Sequence, residues 1–344
     1  MVVPVEVPIH LRPSFILVVG VWYDKPKPNM NSFLKPLSEK LRALHTKGVK
    51  WEHPSTSELH ESRVTVPLCV ADAPARAKAQ NILGHNGKYG CNTCEIKAMR
   101  SAWVPGKRRT LYYPYSHSPV LRTEARMTLQ AMRALREGKT FKGVKGPSVL
   151  SIIPSLDISC SFVPEYMHSV LLGVVKQIVS LWCSSQEPWM VMNRIPFIDN
   201  ILSSVKHPDF VHRTGRTLKM LKYWKASDFY YFLLFESVLI LKDYLPDVYL
   251  QHYFLLVEGI FLLLKKSVSE LEISIAESLL KLFVSKFLDL YGDRAMSYNV
   301  HQLCHLALCV RKYGPLYANN AFMFEDVNGL VASATHGTNE QCCC

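Results

Sequence analysis

Acid is scarce in this chain. Its 344 residues carry 28 Asp+Glu against 40 Lys+Arg, a formal charge of +12. That excess disfavours a cationic partner and points to a polyanion, nucleic acid first; a basic protein with no such partner is the alternative. Signs of a leader are also lacking, and we expect none. The opening residues have no charged stretch followed by an apolar core, so we expect neither secretion nor a disulfide framework from the ten cysteines. Reduced, metal-bound or simply buried thiols fit better. The Cys342-Cys343-Cys344 run is too short for a domain feature and reads as an abnormal chain end. No apolar run reaches bilayer length. The longest, residues 253–264, contains Glu258 and closes on Lys265 and Lys266, as a buried amphipathic helix would. We therefore expect no membrane partner. No glycine-rich phosphate loop, nucleophile elbow, tandem repeat or low-complexity tract occurs.

What is present suffices for a large core: 49% apolar residues, with 15 Phe and 16 Tyr. Residues 14–23 form a continuous apolar, β-branched run that predicts a buried strand. Asn31-Ser32 can cap a helix ended by Gly48. Residues 63–71 predict a second strand, with Asp72 at its C-terminal end, and Pro74 opens the next helix. Strand, helix, strand, helix is an α/β pattern. A basic, aromatic stretch and a helix over 123–136 follow. From about residue 164 helical periodicity dominates, over 166–182, 196–205, 226–245, 248–266 and 273–290. The expected organisation is a core over 1–90, a linking region over 91–160, an all-α insertion over 161–296 and a closing segment over 297–344.

Several residues carry chemistry. His301 and His305 stand one helical turn apart and can grip one metal ion. Cys91-Asn-Thr-Cys94, with Gly90 before it, is half of a zinc site by spacing. Joined to the histidine pair it makes a closed tetrahedral Cys2His2 site, structural rather than catalytic. A redox or core cysteine pair with two hydrogen-bonded histidines is the alternative, and Cys304, His85 and His117 are rival ligands. Asp72 is placed either to cap a helix or to bind a metal ion, and Glu325 sits among Phe322, Phe324 and Val327, where a carboxylate wants a partner. The two could share Mg2+ or Mn2+ for phosphoryl transfer, although such chemistry normally uses a third carboxylate. Glu165 and His168 lie at i and i+3 on one helix face. Arg213, Arg216, Lys219, Lys222 and Lys225, with Tyr223 and Trp224 between them, form a basic aromatic cluster suited to phosphates and exposed bases, as do residues 100–115 with Arg108 and Arg109. A solvated helix face is the alternative for both clusters.

Four stretches together resemble eukaryotic DDE transposases of the CACTA (En/Spm-like) group. They are Phe162-Val-Pro-Glu-Tyr-Met-His168-Ser-Val-Leu-Leu-Gly-Val174; Tyr223-Trp-Lys-Ala-Ser227; Tyr298-Asn-Val-His301 with His305; and Tyr313-Gly-Pro-Leu-Tyr317 through Glu325 and Asn328 to His336-Gly-Thr338. The V(D)J recombinase catalytic subunit is a more distant likeness. The resemblance implies an RNase H-like core with a mixed sheet, interrupted by a helical insertion before the last catalytic glutamate. It implies Asp72 and Glu325 as catalytic, a structural zinc held by Cys91, Cys94, His301 and His305, catalytic Mg2+ or Mn2+, transposon-end DNA as partner, action as an oligomer and nuclear residence. Glu165 stands where these proteins often have Cys or Asp, with His168 retained. The family's first catalytic Asp would precede the strand expected over 14–23. Residues 1–13 contain no Asp; Glu6 is their only acid and Asp24 lies at the wrong end. The expectation is a fragment or decayed copy, truncated at the N-terminus and ending abruptly, with little or no cleavage activity. The second expectation is a non-catalytic, zinc-stabilised DNA- or protein-binding remnant.

Overall fold

The architecture follows from helix starts that the sequence spells out. In the computed structural model, residues 1–22, 24, 26–106, 108–184, 186–206 and 216–335 are described. Asn29 accepts from the Asn31 and Ser32 amides at 3.0 and 3.2 Å and so starts α1, Met30–Lys47. The cap thus lies two residues before Asn31, whose own side chain bonds the Pro147 carbonyl and the Val149 amide. Gly48 ends the helix at φ +73°, a conformation that favours glycine. An antiparallel hairpin of β1 (Val49–Glu52) and β2 (Leu59–Ser62) follows, exposed along both strands. Asp72 caps α2, Ala73–Ala79. A second small antiparallel pair joins β3 (Met99–Arg100) to β4 (Leu111–Tyr112). Thr123 then caps α3, Glu124–Glu137.

The two expected strands do not assemble into a mixed sheet among the described residues. Residues Ile9–Phe15 form a 3-10 helix, and residue 17 makes one antiparallel bridge, to Val2. Leu17 and Val21 are 61% and 62% exposed, so the run over 14–22 is not a buried strand. A continuous apolar strand needs cover on both faces and a ladder partner on at least one edge; no described segment supplies either. Residues 63–71 make a single parallel bridge, Cys69 to Phe162, with the Cys69 amide 2.7 Å from the Ser161 carbonyl.

The molecule is mostly helical, and the helical block was legible. A π-helical segment, Met167–Val175, runs directly into α4, Lys176–Ser184. Next come α5 (Ile195–Ser204), α6 (Ala226–Tyr231), a second π turn (Phe232–Glu236) and α7 (Ser237–Ile240). The long pair α8 (Asp247–Leu263) and α9 (Glu270–Tyr291) follows. Last are α10 (Tyr298–Gln302), a 3-10 turn (Leu303–His305), α11 (Leu306–Tyr313) and α12 (Phe322–Thr335). One large apolar cluster extends from Tyr166 to Ala321 through all of these except α12, which Phe322 joins at its edge. A smaller cluster lies under α2, α3 and residues 149–162. The helix Met167–Ser184 is long and apolar enough, by length and composition, to cross a membrane. Here its apolar side chains Val170, Leu171, Val174, Val175 and Ile178 are wholly buried in the protein core.

Gly173 lets α10 lie against the π segment: a Cβ there would come 2.6 Å from the Asn299 amide and 2.9 Å from the His168 carbonyl. Gly173→Ala should therefore destabilise the fold by roughly 1–3 kcal/mol, the usual cost of overpacking, despite alanine's better helix propensity. Urea unfolding would measure it, and a neutral or stabilising result would show that α10 can move away freely.

Candidate metal centre and adjoining cavity

Cys91, Cys94, His301 and His305 meet in one buried group, although more than two hundred residues separate its halves. Their four donor atoms all lie within 4.8 Å of one another, and the group could hold a metal ion. Sγ of Cys91 is 3.5 Å from Nε2 of His305, Sγ of Cys94 is 3.3 Å from Nε2 of His301, and the two Nε2 atoms are 3.2 Å apart. With Zn–S near 2.3 Å and Zn–N near 2.05 Å, tetrahedral edges come to roughly 3.6 Å for S···N and about 3.3 Å for N···N. The donors are thus already spaced for such an ion. Each half is prepared locally. The Thr93 and Cys94 amides and the Gln302 side chain point donors at Sγ of Cys91, at 3.2–3.4 Å. Arg122 secures the loop from behind through the carbonyls of Cys91, Tyr89 and Lys142. Tyr113 stacks on His301 at 5.7 Å. Of the rival ligands, His85 and His117 are exposed, and Cys304 is no member of the group.

The thiols are electrically unequal. Burial resists ionisation of Cys91, but the Cys94 thiol donating to it and the fields of His305 and His301 outweigh burial and pull it well below the ordinary range. Cys94 is pushed the other way, first by the hydrogen bond it donates to Cys91, which holds its proton in place, and then by burial. Two thiolates cannot both form in this dry space without a cation, so the donor set fits a soft divalent ion. Arg122, buried beside the pair, is held below its usual value by desolvation.

A cavity of about 1020 Å³ opens next to this group, bounded by Asp72, Glu165 and His168. Glu165 is 1% exposed and accepts four hydrogen bonds: from the Met167, His168 and Ala321 amides at 2.6, 2.9 and 2.8 Å, and from Nδ1–H of His168 at 2.7 Å. It therefore joins the starts of the π segment and of α12. Across His168, Nε2 faces Oε1 of Glu325 at 3.7 Å. Asp72 completes the cluster; its field reaches His168, while its Oδ1 caps α2 by accepting from the Ala75 amide at 2.7 Å. Asp72 is thus a cap, as one of its two readings expects, and it also lines the cavity.

The basic residues divide. Arg108 and Arg109 line the same cavity. Lys219 and Lys222 are exposed on a separate 3-10 stretch, Leu218–Tyr223, where Lys222 lies 4.6 Å over the Tyr223 ring, and Lys225, also exposed, immediately precedes α6. Arg216 donates to the Tyr223 carbonyl, and Arg213 falls outside the described residues. Trp224 is not a stacking platform: it is 5% exposed and packs on Phe229 and Phe232, because the segment needs an apolar anchor into the insertion. Sequence reasoning missed Arg76, Arg122, Tyr298 and Gln302. Their signal was position alone: Arg76 four residues after Asp72, and Tyr298 and Gln302 flanking His301.

No protein-family model and no curated protein matches the chain.

Two measurements probe these centres. Cys91→Ser should lose the bound metal of the purified protein and lower its thermal midpoint by roughly 10 °C or more, whereas Cys304→Ser should keep both. Equal metal content in the two variants would exclude the Cys2His2 assignment. His168 offers a pH test. The Glu165 hydrogen bond, opposed by partial burial and aided by the fields of Glu165, Glu325 and Asp72, raises its pKa above the ordinary 6.5. A group raised on folding stabilises fully below its unfolded value, and that stabilisation disappears as pH climbs through the raised value. The wild-type midpoint should thus fall across that window more steeply than that of His168→Gln; parallel curves would remove the ion-pair description.

Proposed function

We propose that the chain is a zinc-stabilised, transposase-derived domain that binds DNA, with a strand-cleavage centre of DDE type that is incomplete in this chain. The observation that carries this reading is that Glu325 stands 3.7 Å from His168, while His168 and Asp72, whose field reaches His168, line an arginine-bearing cavity. Far apart in sequence, Asp72 and Glu325 are the acids that the resemblance assigns to catalysis, and metal-assisted phosphoryl transfer needs such acids beside cations that hold phosphate. The likeness to an RNase H-like core belongs to the same proposal; the parallel bridge from Cys69 to Phe162, just ahead of Asp72, is what supports it. Zinc is the ion proposed for the Cys2His2 group, where it would fix the closing segment to the region around Cys91.

Asp72 and Glu325 would hold Mg2+ or Mn2+, which supplies charge neutralisation at a phosphoryl centre and activates the attacking oxygen. His168 faces Glu325, and Glu165 holds His168. Arg108 and Arg109 would neutralise the DNA backbone. A third carboxylate is not supplied by residues 1–22: Glu6 is exposed and is the only acid there. DNA of transposon ends, a nuclear setting and an oligomeric state go with this reading.

A second reading has its own support. Asp72 spends one oxygen on the α2 cap and Glu325 leans on His168, as in a domain that keeps its fold and binds DNA or protein without cleaving. A nicking assay on DNA with terminal inverted repeats, with added Mg2+ or Mn2+, separates the two. We expect salt-sensitive DNA binding that persists in Asp72→Ala and Glu325→Ala, with little nicking by the wild type. Robust nicking that Asp72→Ala abolishes would establish a working centre and overturn the inactivity.

A further inference from the structure

The cavity beside Asp72 holds more positive charge than its own carboxylates can answer. Six cationic side chains line it, those of Arg76, Lys88, Arg100, Arg108, Arg109 and Arg294, against the acids Asp72 and Glu165. Glu165 is already saturated by four donors, and Asp72 gives an oxygen to its helix. Arg76 is the telling member. It is only 2% exposed, yet its hydrogen-bond partners among the described residues are neutral: the Val163 carbonyl and, at a long 3.5 Å, the Tyr298 hydroxyl. Its Nε has no partner. Arg294 is only partly buried, but it too has carbonyl acceptors, those of Arg108 and Ala102, and an unpartnered Nε. A guanidinium taken out of water without a counter-charge, as Arg76 is, is costly unless an anion meets it. Planar, forked donors match phosphate oxygens in particular. The volume, about 1020 Å³, lies at the top of the roughly 300–1,000 Å³ span of small-ligand pockets. It has room for a piece of unpaired strand as well as a lone phosphate.

We propose that this cavity seats a phosphodiester of an unpaired nucleic-acid strand, with Arg76 as its buried anchor and Lys88, Arg100 and Arg109 as its exposed rim. The site rests on the DNA reading above but needs neither the divalent metal nor Asp72 and Glu325. Its rival is a purely structural Arg76, a strut from Val163 to Tyr298.

The test uses the full, zinc-loaded chain and a fluorescent, 5′-phosphorylated oligothymidylate, read by anisotropy at fixed ionic strength without added Mg2+. Arg76→Gln, checked for unchanged zinc content and thermal midpoint, should weaken binding about tenfold or more, since it removes a charge-assisted contact. Arg76→Lys should fall between the two. The exposed rim variants Lys88→Gln and Arg100→Gln should each weaken it severalfold, and Lys242→Gln, which lies outside the cavity, should not. An Arg76→Gln protein that keeps its zinc and binds the oligonucleotide like the wild type overturns the site. If that variant does not fold, unchanged affinity in the Lys88→Gln, Arg100→Gln double variant overturns it instead. Salt-sensitive duplex binding by the wild type together with unchanged oligonucleotide affinity in Arg76→Gln would count against the site alone, whereas a wild type that binds neither duplex nor oligonucleotide would count against the DNA reading and the site together.

Discussion

Four polar atoms that cannot all be content without a cation hold the two ends of this fold together. Sγ of Cys91 and Cys94 and Nε2 of His301 and His305 face one another in a space with no solvent, at separations that suit a tetrahedral ion. Apolar packing alone would not select that arrangement, because each of these groups loses hydration on burial. The group also fixes register. It ties α10 and the turn after it to the loop over 91–94, and through Gly173 α10 lies flush on the π segment that carries His168. The cavity therefore inherits its shape from a centre that takes no part in its chemistry.

Glu165 is the second constraint, and it depends on the first. A carboxylate buried to 1% exposure is tolerable only with its lone pairs satisfied, and here three backbone amides and one imidazole do so. Because those amides open two different helices, the side chain sets the angle between the π segment and α12, and so sets where Glu325 stands. An aspartate would be one methylene shorter and could not reach Ala321 and His168 together without moving a helix. The glutamate at this position, where the resembling proteins often have Cys or Asp, is thus integrated into the fold rather than a neutral replacement.

The sequence made the insertion and the metal ligands legible because both leave local marks. Helical periodicity announced α8 and α9, and cysteine and histidine spacings announced two half-sites, although the spacings left open a redox or core cysteine pair with two hydrogen-bonded histidines. The expected sheet failed for the opposite reason. A strand is stable through neighbours distant in sequence, and the apolar run over 14–22 says nothing about whether those neighbours exist. It is left exposed, with one bridge to Val2. The basic clusters were half legible: composition marked them, but only packing could show that Trp224 faces the core while Arg108 and Arg109 face the acids. Arg76 was hidden altogether, because on paper it is one more cation in a helix.

The burial of Arg76 bears on how the acids and the cations of this cavity coexist. Carboxylates in a cavity repel an anionic ligand, and cations beside them tend to pair with them directly. The fold avoids both outcomes by geometry. Asp72 is committed to the α2 start and Glu165 to two helix starts, while Arg76 is directed to Val163 and Tyr298 four residues beyond Asp72. Opposite charges are thereby kept close without being allowed to neutralise each other, and the unspent positive charge is left for an anion from outside. The cavity therefore keeps an excess of positive charge although Asp72 and Glu165 stand on its wall, and that excess suits an anionic ligand.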